Sequence, residues 1–308
     1  MFEVIFLGTS ASTPSIHRGL SANVVLYREH RFLIDCGEGT QRQILQSGLG
    51  FKRLNKIFLT HGHLDHILGL GGLISTFSRW EAIETVEIYG GEATLDRVRD
   101  LIFKVVLRGG ENPAFKVKFV PIKPGVIFED RTFQIQAFPV SHRGPDCYGF
   151  IFQEKPRRPF LNEKAEALGV PIGPERRDLV NGQSLTLADG RLIRPDDVLG
   201  PVIEGSKLVM VGDSARTDNL VEFVHNADGL VIEATYIETD ADMARRFGHL
   251  TAAQSARLAR EANVERLFLT HLSRRYREAD VAAEASAIFP NTLVVRDFDK
   301  VTVAKKDK

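Results

Sequence analysis

The chain has 308 residues, 43% of them hydrophobic and 26% charged, with Lys+Arg and Asp+Glu balanced at 40 each. That length buries one large core or two fused halves, and the neutral balance excludes a polyanion partner held by bulk charge, leaving local patches as the electrostatic route to nucleic acid. Two cysteines, Cys36 and Cys147, exclude a disulfide framework, and without a roughly 20-residue apolar run or a signal-like N-terminus the expectation is a soluble, cytoplasmic chain.

Phe2 to Leu7, Ala22 to Tyr27 and Arg31 to Cys36 are rich in β-branched and aromatic residues and predict three short strands. Asp35-Cys36-Gly37-Glu38-Gly39-Thr40 closes the third and opens a helix carrying Ile44 and Leu45. Lys56-Ile57-Phe58-Leu59-Thr60 predicts a buried strand, after which Ile67, Leu70, Leu73, Ile74 and Phe77 recur at helical spacing. Strands are expected at Val86 to Tyr89, Phe115 to Ile122, Phe133 to Val140 and Cys147 to Gln153, with a helix at Leu95 to Val106. Residues 154–197 break the pattern. Pro156, Pro159, Pro171, Pro174 and Pro195 alternate there with Gly169, Gly173, Gly182 and Gly190, which predicts an inserted arm outside the core. Its basic residues cluster as Lys155/Arg157/Arg158 and Arg176/Arg177. The core resumes with strands at Lys207 to Val211 and Leu230 to Ile232 and a helix near Leu220 to Val224. Thr251-Ala252-Ala253-Gln254 matches a capping box and starts a helix through Glu261. Strands at Arg266 to Thr270 and Thr292 to Val295 follow, and Lys305 to Lys308 is expected to fray.

The chemistry concentrates in Thr60-His61-Gly62-His63-Leu64-Asp65-His66, between a strand end and a helix start. Neutral imidazoles and carboxylates ligate zinc and similar divalent metals. Alternate residues of an extended segment point the same way, so His61 and His63 can grip one ion, while Asp65 and His66 lie further round and can face a second. Phe58-Leu59-Thr60-His61 recurs as Phe268-Leu269-Thr270-His271, which predicts two related halves delivering ligands to a shared seam. His142, Asp213 and His271 each follow a predicted strand, where one edge of a sandwich could gather them. His30 and His225 lack such a setting, and His17 lies in a loop that borders the site. His249 stands two residues before the capped helix, whose N-terminus depresses its pKa, and a nearby carboxylate such as Glu233 would raise it.

The His-x-His-x-Asp-His run resembles the metallo-β-lactamase superfamily. Asp35 to Gln41, Glu233-Ala234-Thr235, His249 and His271-x-Ser273-x-Arg275-Tyr276 are similar to the ribonuclease Z family, endonucleases that remove 3′ trailers from tRNA precursors. The likeness runs from Phe6 to about Phe298, with Ile232 where relatives commonly carry His and Gly19 where Asn is usual. It implies an α/β (α+β) four-layer αββα sandwich with an inserted flexible arm, in which Gly173-Pro174 matches the arm motif. It implies a homodimer whose arm reaches the tRNA elbow near the other subunit. Two zinc ions are implied, although the same ligands accept manganese or iron. His61, His63 and His142 would hold the first ion, Asp65, His66 and His271 the second, with Asp213 between them. Two such ions lower the pKa of a water to about 7 and hold a phosphodiester oxygen. By the same resemblance Asp65 also takes the proton of the attacking water, and His249, supported by Glu233, protonates the departing ribose oxygen. Arg275, Ser273 and Arg18 would contact phosphates. The rival on the same ligands is a phosphodiesterase for small or cyclic diesters, which has little use for the arm.

Overall fold

The computed structural model describes residues 1–79, 83–107 and 115–305. The strands, in chain order, begin with β1 (Phe2–Gly8), β2 (Ala22–Tyr27), β3 (His30–Ile34), β4 (Lys56–Phe58), β5 (Thr85–Gly90) and β6 (Lys116–Pro121). Next come β7 (Gly125–Glu129), β8 (Phe133–Pro139), β9 (Tyr148–Glu154) and the short β10 (Leu185–Thr186) and β11 (Leu192–Ile193). The last are β12 (Lys207–Met210), β13 (Gly229–Glu233), β14 (Leu267–Thr270), β15 (Thr292–Val294) and β16 (Lys300–Val303). Two seven-stranded sheets result, ordered β16-β1-β2-β3-β4-β5-β6 and β15-β14-β13-β12-β9-β8-β7.

Alternation along each strand makes the sheets stack. In β1, Phe2, Val4 and Phe6 enter the layer between the sheets, while Ile5 and Leu7 face outward. In β13 and β14, Val231 and Phe268 point inward, and Leu230, Ile232, Leu267 and Leu269 point out. Helices Thr40–Gln46 and Leu70–Arg79 cover one outer face. Helices Ala252–Glu261 and Glu278–Ser286 cover the other, giving the expected αββα order. The inner layer is rich in phenylalanine: Phe58 meets Phe32 and Phe150 edge-on, each at 5.6 Å between ring centres. Burial of one such ring contributes about 2–3 kcal/mol. Among the described residues no helix is long and apolar enough to cross a membrane.

Strand direction positions the site. β3 through β6 run parallel, as do β12 through β15. Parallel strands present their carboxyl ends on one rim, where ligands of such sheets gather. The residues that follow β3, β4, β12, β13 and β14 carry the chemistry discussed below.

Several elements depart from the sequence expectations. The helix expected at Leu95 to Val106 runs from Glu92 to Asp100 and then loosens into a π-helical stretch, Leu101–Val106. β7, not among the strands expected from the sequence, is an edge strand whose apolar run, Val126-Ile127-Phe128, is only three residues long and partly exposed. β16 alternates exposed Lys300 and Thr302 with buried Val301 and Val303, and pairs antiparallel with β1. Cys36 lies just past β3, not within it, where burial pushes its thiol up to about 12. Residues 306–308 of the tail expected to fray lie outside the described residues.

Glu154–Gly205 forms a compact unit of its own, extending past the expected end of the arm at residue 197. It is ordered by short elements: helices Asn162–Ala167 and Pro174–Val180, the β10–β11 hairpin and the turn Pro195–Val198. Ala165, Val170, Leu179, Ile193 and Val198 make a small core. Gly173 precedes Pro174 at the first turn of its helix, a position whose missing N–H costs nothing. Two of the clustered arginines are engaged inside the unit. Arg158 pairs with Asp196 at 2.6 Å and donates to the Gly200 carbonyl at 2.8 Å. Arg176 donates to the carbonyls of Val170 and Pro171. Arg157 and Arg177 stay exposed.

Candidate metal centre and active site

His61 and His63 lie on the extended stretch after β4, and Asp65 and His66 fall on the helical turn Leu64–Ile67 that follows. Asp213 comes three residues after β12, and a Cβ on its neighbour Gly212 would come within 2.9 Å of the Thr60 side chain. That close approach brings the Asp213 strand against the His61 strand. His142 follows β8, and His271 follows β14 in a left-handed conformation with φ of 55°.

The structure brings all seven side chains together. His61, His63, His142 and Asp213 offer ligand atoms to one point, and Asp65, His66 and His271 to another. Asp213 Oδ2 lies 3.7 Å from Nε2 of both His61 and His142 and 3.5 Å from Nε2 of His66. Its Oδ1 lies 3.4 Å from Nε2 of His271, which is also 3.5 Å from Asp65 Oδ2. Asp213 therefore sits between the two groups. His63 contributes Nδ1, 3.3 Å from Nε2 of His142.

Buried polar atoms normally have partners, and an orphan costs about 1–3 kcal/mol. Nε2 of His61, His66 and His271 and Oδ1 of Asp213 are buried with no hydrogen-bond partner. The opposite nitrogens are all held. Nδ1 of His61 faces the Thr60 hydroxyl at 3.0 Å, and Nδ1 of His66 faces Asp35 Oδ2 at 2.7 Å. Nδ1 of His142 faces the Gly248 carbonyl at 2.7 Å, and Nδ1 of His271 faces the Thr235 hydroxyl at 3.0 Å. Oxygen partners at Nδ1 leave the Nε2 lone pairs directed at the cluster, the tautomer that metal binding uses. A tetrahedral ion with ligands at about 2.1 Å sets neighbouring ligand atoms about 3.4 Å apart, which the spacings here approach. The residues fit a divalent metal pair.

Burial, followed by the neighbouring His66, lowers the pKa of His61 well below the usual imidazole value against the opposing pull of Asp213. Burial lowers His63 and His142 as well. His66 moves the other way: burial opposes its charge, but the carboxylates of Asp213 and Asp35 more than offset that and raise it. Burial would raise Asp213, yet His271 and His66 hold it well below the usual carboxylate range.

Beside the cluster stands a second constellation. Both oxygens of Glu233 lie 3.1 Å from Nδ1 of His249. Glu233 is 1% exposed, and its remaining capacity is filled by the Ser214 amide at 2.7 Å and the Thr235 hydroxyl. His249 also lies near Asp213 and His271. The atom it turns toward Asp213, at 3.9 Å, is the Nδ1 already bound to Glu233, which suits it to holding a proton more than a metal. Burial lowers its pKa, but the Glu233 carboxylate outweighs that and takes it up to about 9. The expected depression by the following helix is thus overridden by the carboxylate. Thr251 caps that helix, Ala252–Glu261, with the expected capping box.

The chain is 47% identical to a ribonuclease Z of Bradyrhizobium diazoefficiens over 303 residues, covering 98% of this chain and 100% of that one. The chain belongs to the ribonuclease Z family. A ribonuclease Z of Archaeoglobus fulgidus is 38% identical over 306 residues, with 98% of each chain covered. The crystal structure of human tRNase Z, short form, superposes with a TM-score of 0.68 at 26% identity, covering 98% of this chain and 99% of that one. Family models described as "Anti-Pycsar protein Apyc1" and "Beta-lactamase superfamily domain" match residues 2–158 and 178–272. The ribonuclease Z relatives span both segments.

The remaining candidate residues fall at varied places in this family member. Ser273 lines a cavity of about 170 Å³ on the His271 side, together with His17, Arg18, Arg274 and Tyr276. Arg275 is exposed, its amide donating to the Ser273 hydroxyl at 3.3 Å. The Arg18 guanidinium is engaged by Glu278 at 2.7 Å and by Thr9 and the Val295 carbonyl at 2.6 Å, which removes it from the free phosphate contacts. His30 packs on Phe32 and pairs with Asp130 at 3.4 Å, away from the cluster. Asp35, Thr60 and Thr235 emerge as holders of the ligand imidazoles. All three lie inside motifs visible in the sequence; Thr60 holds its neighbour His61, whereas Asp35 and Thr235 hold imidazoles 31 and 36 positions away.

Proposed function

We propose that the protein is the endoribonuclease that removes the 3′ trailer from tRNA precursors, leaving a tRNA 3′-hydroxyl and a 5′-phosphorylated trailer. The observation that carries this reading is a full-length match to ribonuclease Z on a chain whose imidazoles with partnerless Nε2 atoms adjoin a Glu233–His249 pair. We assign the metal pair as zinc, with manganese or iron as substitutes, the working form as a cytoplasmic homodimer, and Glu154–Gly205 as the arm that grips the tRNA.

His61, His63 and His142 would hold one ion, Asp65, His66 and His271 the other, and Asp213 both. When bound, the ions supply positive charge that stabilises the developing charge on the phosphoryl oxygens and eases loss of a proton from water. The chain's own groups complete the displacement. Asp65, whose Oδ2 is oriented by the Ser12 amide at 2.9 Å, takes the proton of the attacking water. The P–O3′ bond breaks as the water oxygen bonds to phosphorus. His249, protonated because Glu233 faces its Nδ1, gives its other proton from Nε2 to the departing 3′-oxygen. Ser273 and Arg275 hold the adjoining backbone. Gly173 and Pro174 shape the helix start at which the arm meets RNA.

The decisive experiment is cleavage of a 3′-extended tRNA precursor by zinc-loaded protein, with the cut mapped and an unstructured RNA in parallel. A single cut after the discriminator base, selective for the folded precursor, is expected. Turnover of small diesters without cleavage of the precursor would overturn the tRNA assignment and leave the small-diester rival.

A further inference from the structure

A cavity of about 270 Å³ opens on the His63 side of the cluster, lined by His61, Gly62, His63, Thr94, Arg97 and Arg143 among others. Both arginines are exposed, and neither is paired to a carboxylate among the described residues. Arg97 projects from helix Glu92–Asp100 and donates through one Nη to the Gly62 carbonyl at 2.8 Å, which leaves further donors on its guanidinium. Arg143 follows His142 and lays its aliphatic stem against Gly248, where an added Cβ would meet its Cγ at 2.9 Å. Two acids beside this wall are engaged elsewhere. Asp146 accepts the Ala93 amide at 3.0 Å, and Asp96 pairs with Arg99. The cavity on the His271 flank differs in that one of its two arginines, Arg18, is tied to Glu278.

An arginine fork keeps its charge at every working pH and matches phosphate geometry. Two such forks over a cavity whose wall is His61 and His63 face whatever adjoins a phosphate held at the cluster. We propose that this groove seats the phosphodiester next to the one being cut, with Arg143 and Arg97 pairing to its anionic oxygens. The inference rests on reading the cluster as an RNA-cleaving centre. Arg97 has a second duty, since its bond to Gly62 also fixes the loop between two candidate ligands. Arg143 therefore carries the cleaner test.

The experiment compares Arg143→Gln with Arg99→Gln, which removes the same charge from a residue that does not line the groove. Substrates are a 3′-extended tRNA precursor and bis(p-nitrophenyl) phosphate, whose single phosphate cannot span cluster and groove. Arg143→Gln should raise KM for the precursor about tenfold, with kcat and turnover of the small diester unchanged, and should flatten the log–log salt dependence by about one relative to Arg99→Gln. Equal KM and salt slope in the two variants would overturn the groove, as would parallel loss on both substrates. A wild-type protein that cuts no precursor would sink the tRNA reading separately. The groove would then be read from inhibition of small-diester turnover by a 5′-phosphorylated dinucleotide, which must weaken about tenfold in Arg143→Gln and stay unchanged in Arg99→Gln.

Discussion

Asp35 and Glu233 occupy matching places in the two sheets. Asp35 follows β3, whose parallel neighbour β4 leads into Thr60 and His61. Glu233 ends β13, whose parallel neighbour β14 leads into Thr270 and His271. In the first half the Thr60 hydroxyl donates to Asp35 and faces Nδ1 of His61 at 3.0 Å. In the second the Thr235 hydroxyl donates to Glu233 and faces Nδ1 of His271 at 3.0 Å. Each carboxylate also holds one more imidazole by Nδ1, His66 at 2.7 Å and His249 at 3.1 Å. From there the halves diverge. His66 turns a partnerless Nε2 toward Asp213 and Asp65, whereas the His249 atom nearest Asp213, at 3.9 Å, is the Nδ1 already bound to Glu233. A carboxylate–imidazole pair therefore does not by itself assign a role. What the second nitrogen meets decides whether the ring ligates or carries a proton.

Removing the two imidazoles should separate these roles most sharply. His249→Ala is expected to keep metal content and lose about 10²- to 10⁴-fold in kcat, the usual worth of a positioned acid. Metal analysis beside single-turnover cleavage would check it, and near-normal cleavage would remove His249 from the chemistry. One step further out, the carboxylates should part in the same way. Asp35→Asn should weaken metal affinity about 10- to 100-fold, because it loosens the grip on His66 and, through Thr60, on His61. Glu233→Gln should leave the metals bound with the larger share of its loss in kcat. If both variants lose metal equally, the two halves do one job and the distinction drawn here fails.

The sequence exposes convergence better than it exposes coupling. His61 and His271 were legible because each closes a Phe-Leu-Thr-His run at a strand end, and an edge of parallel strands gathers such positions. The alternation that packs Phe58 and Phe268 between the sheets was equally legible. Which oxygen meets which imidazole was not, because Asp35 meets Thr60 and His66, 25 and 31 positions on, and Thr235 meets His271 after 36. Arg18 lacks any local sign that it pairs with Glu278, 260 positions away. In Glu154–Gly205 the helices span six and seven residues, too short for a periodicity to stand out from Pro and Gly. The clustered arginines gave a charge pattern there, but only the fold shows that Arg158 and Arg176 bind their own unit.

The mildest perturbation tests the comparison without any turnover. In the metal-free protein burial opposes the charge on His249, Glu233 favours it, and the balance lies at about 9 against an ordinary 6.5. A raised folded pKa adds stability that is fully present below 6.5 and is lost as pH rises through about 9. Glu233→Gln removes the strongest of the raising charges and leaves Asp213 and Asp65 against burial, so the ring should titrate well below about 9 and this pH-dependent stability should shrink. Imidazole NMR of the metal-free protein across pH 5 to 10 would follow the ring directly. Asp35→Asn should leave the His249 titration where it was, since Asp35 holds the other pair. A His249 pKa that stays high in Glu233→Gln would mean that Asp213 and Asp65 hold the proton, and the acid would then belong to the metal cluster, not to a separate constellation beside it.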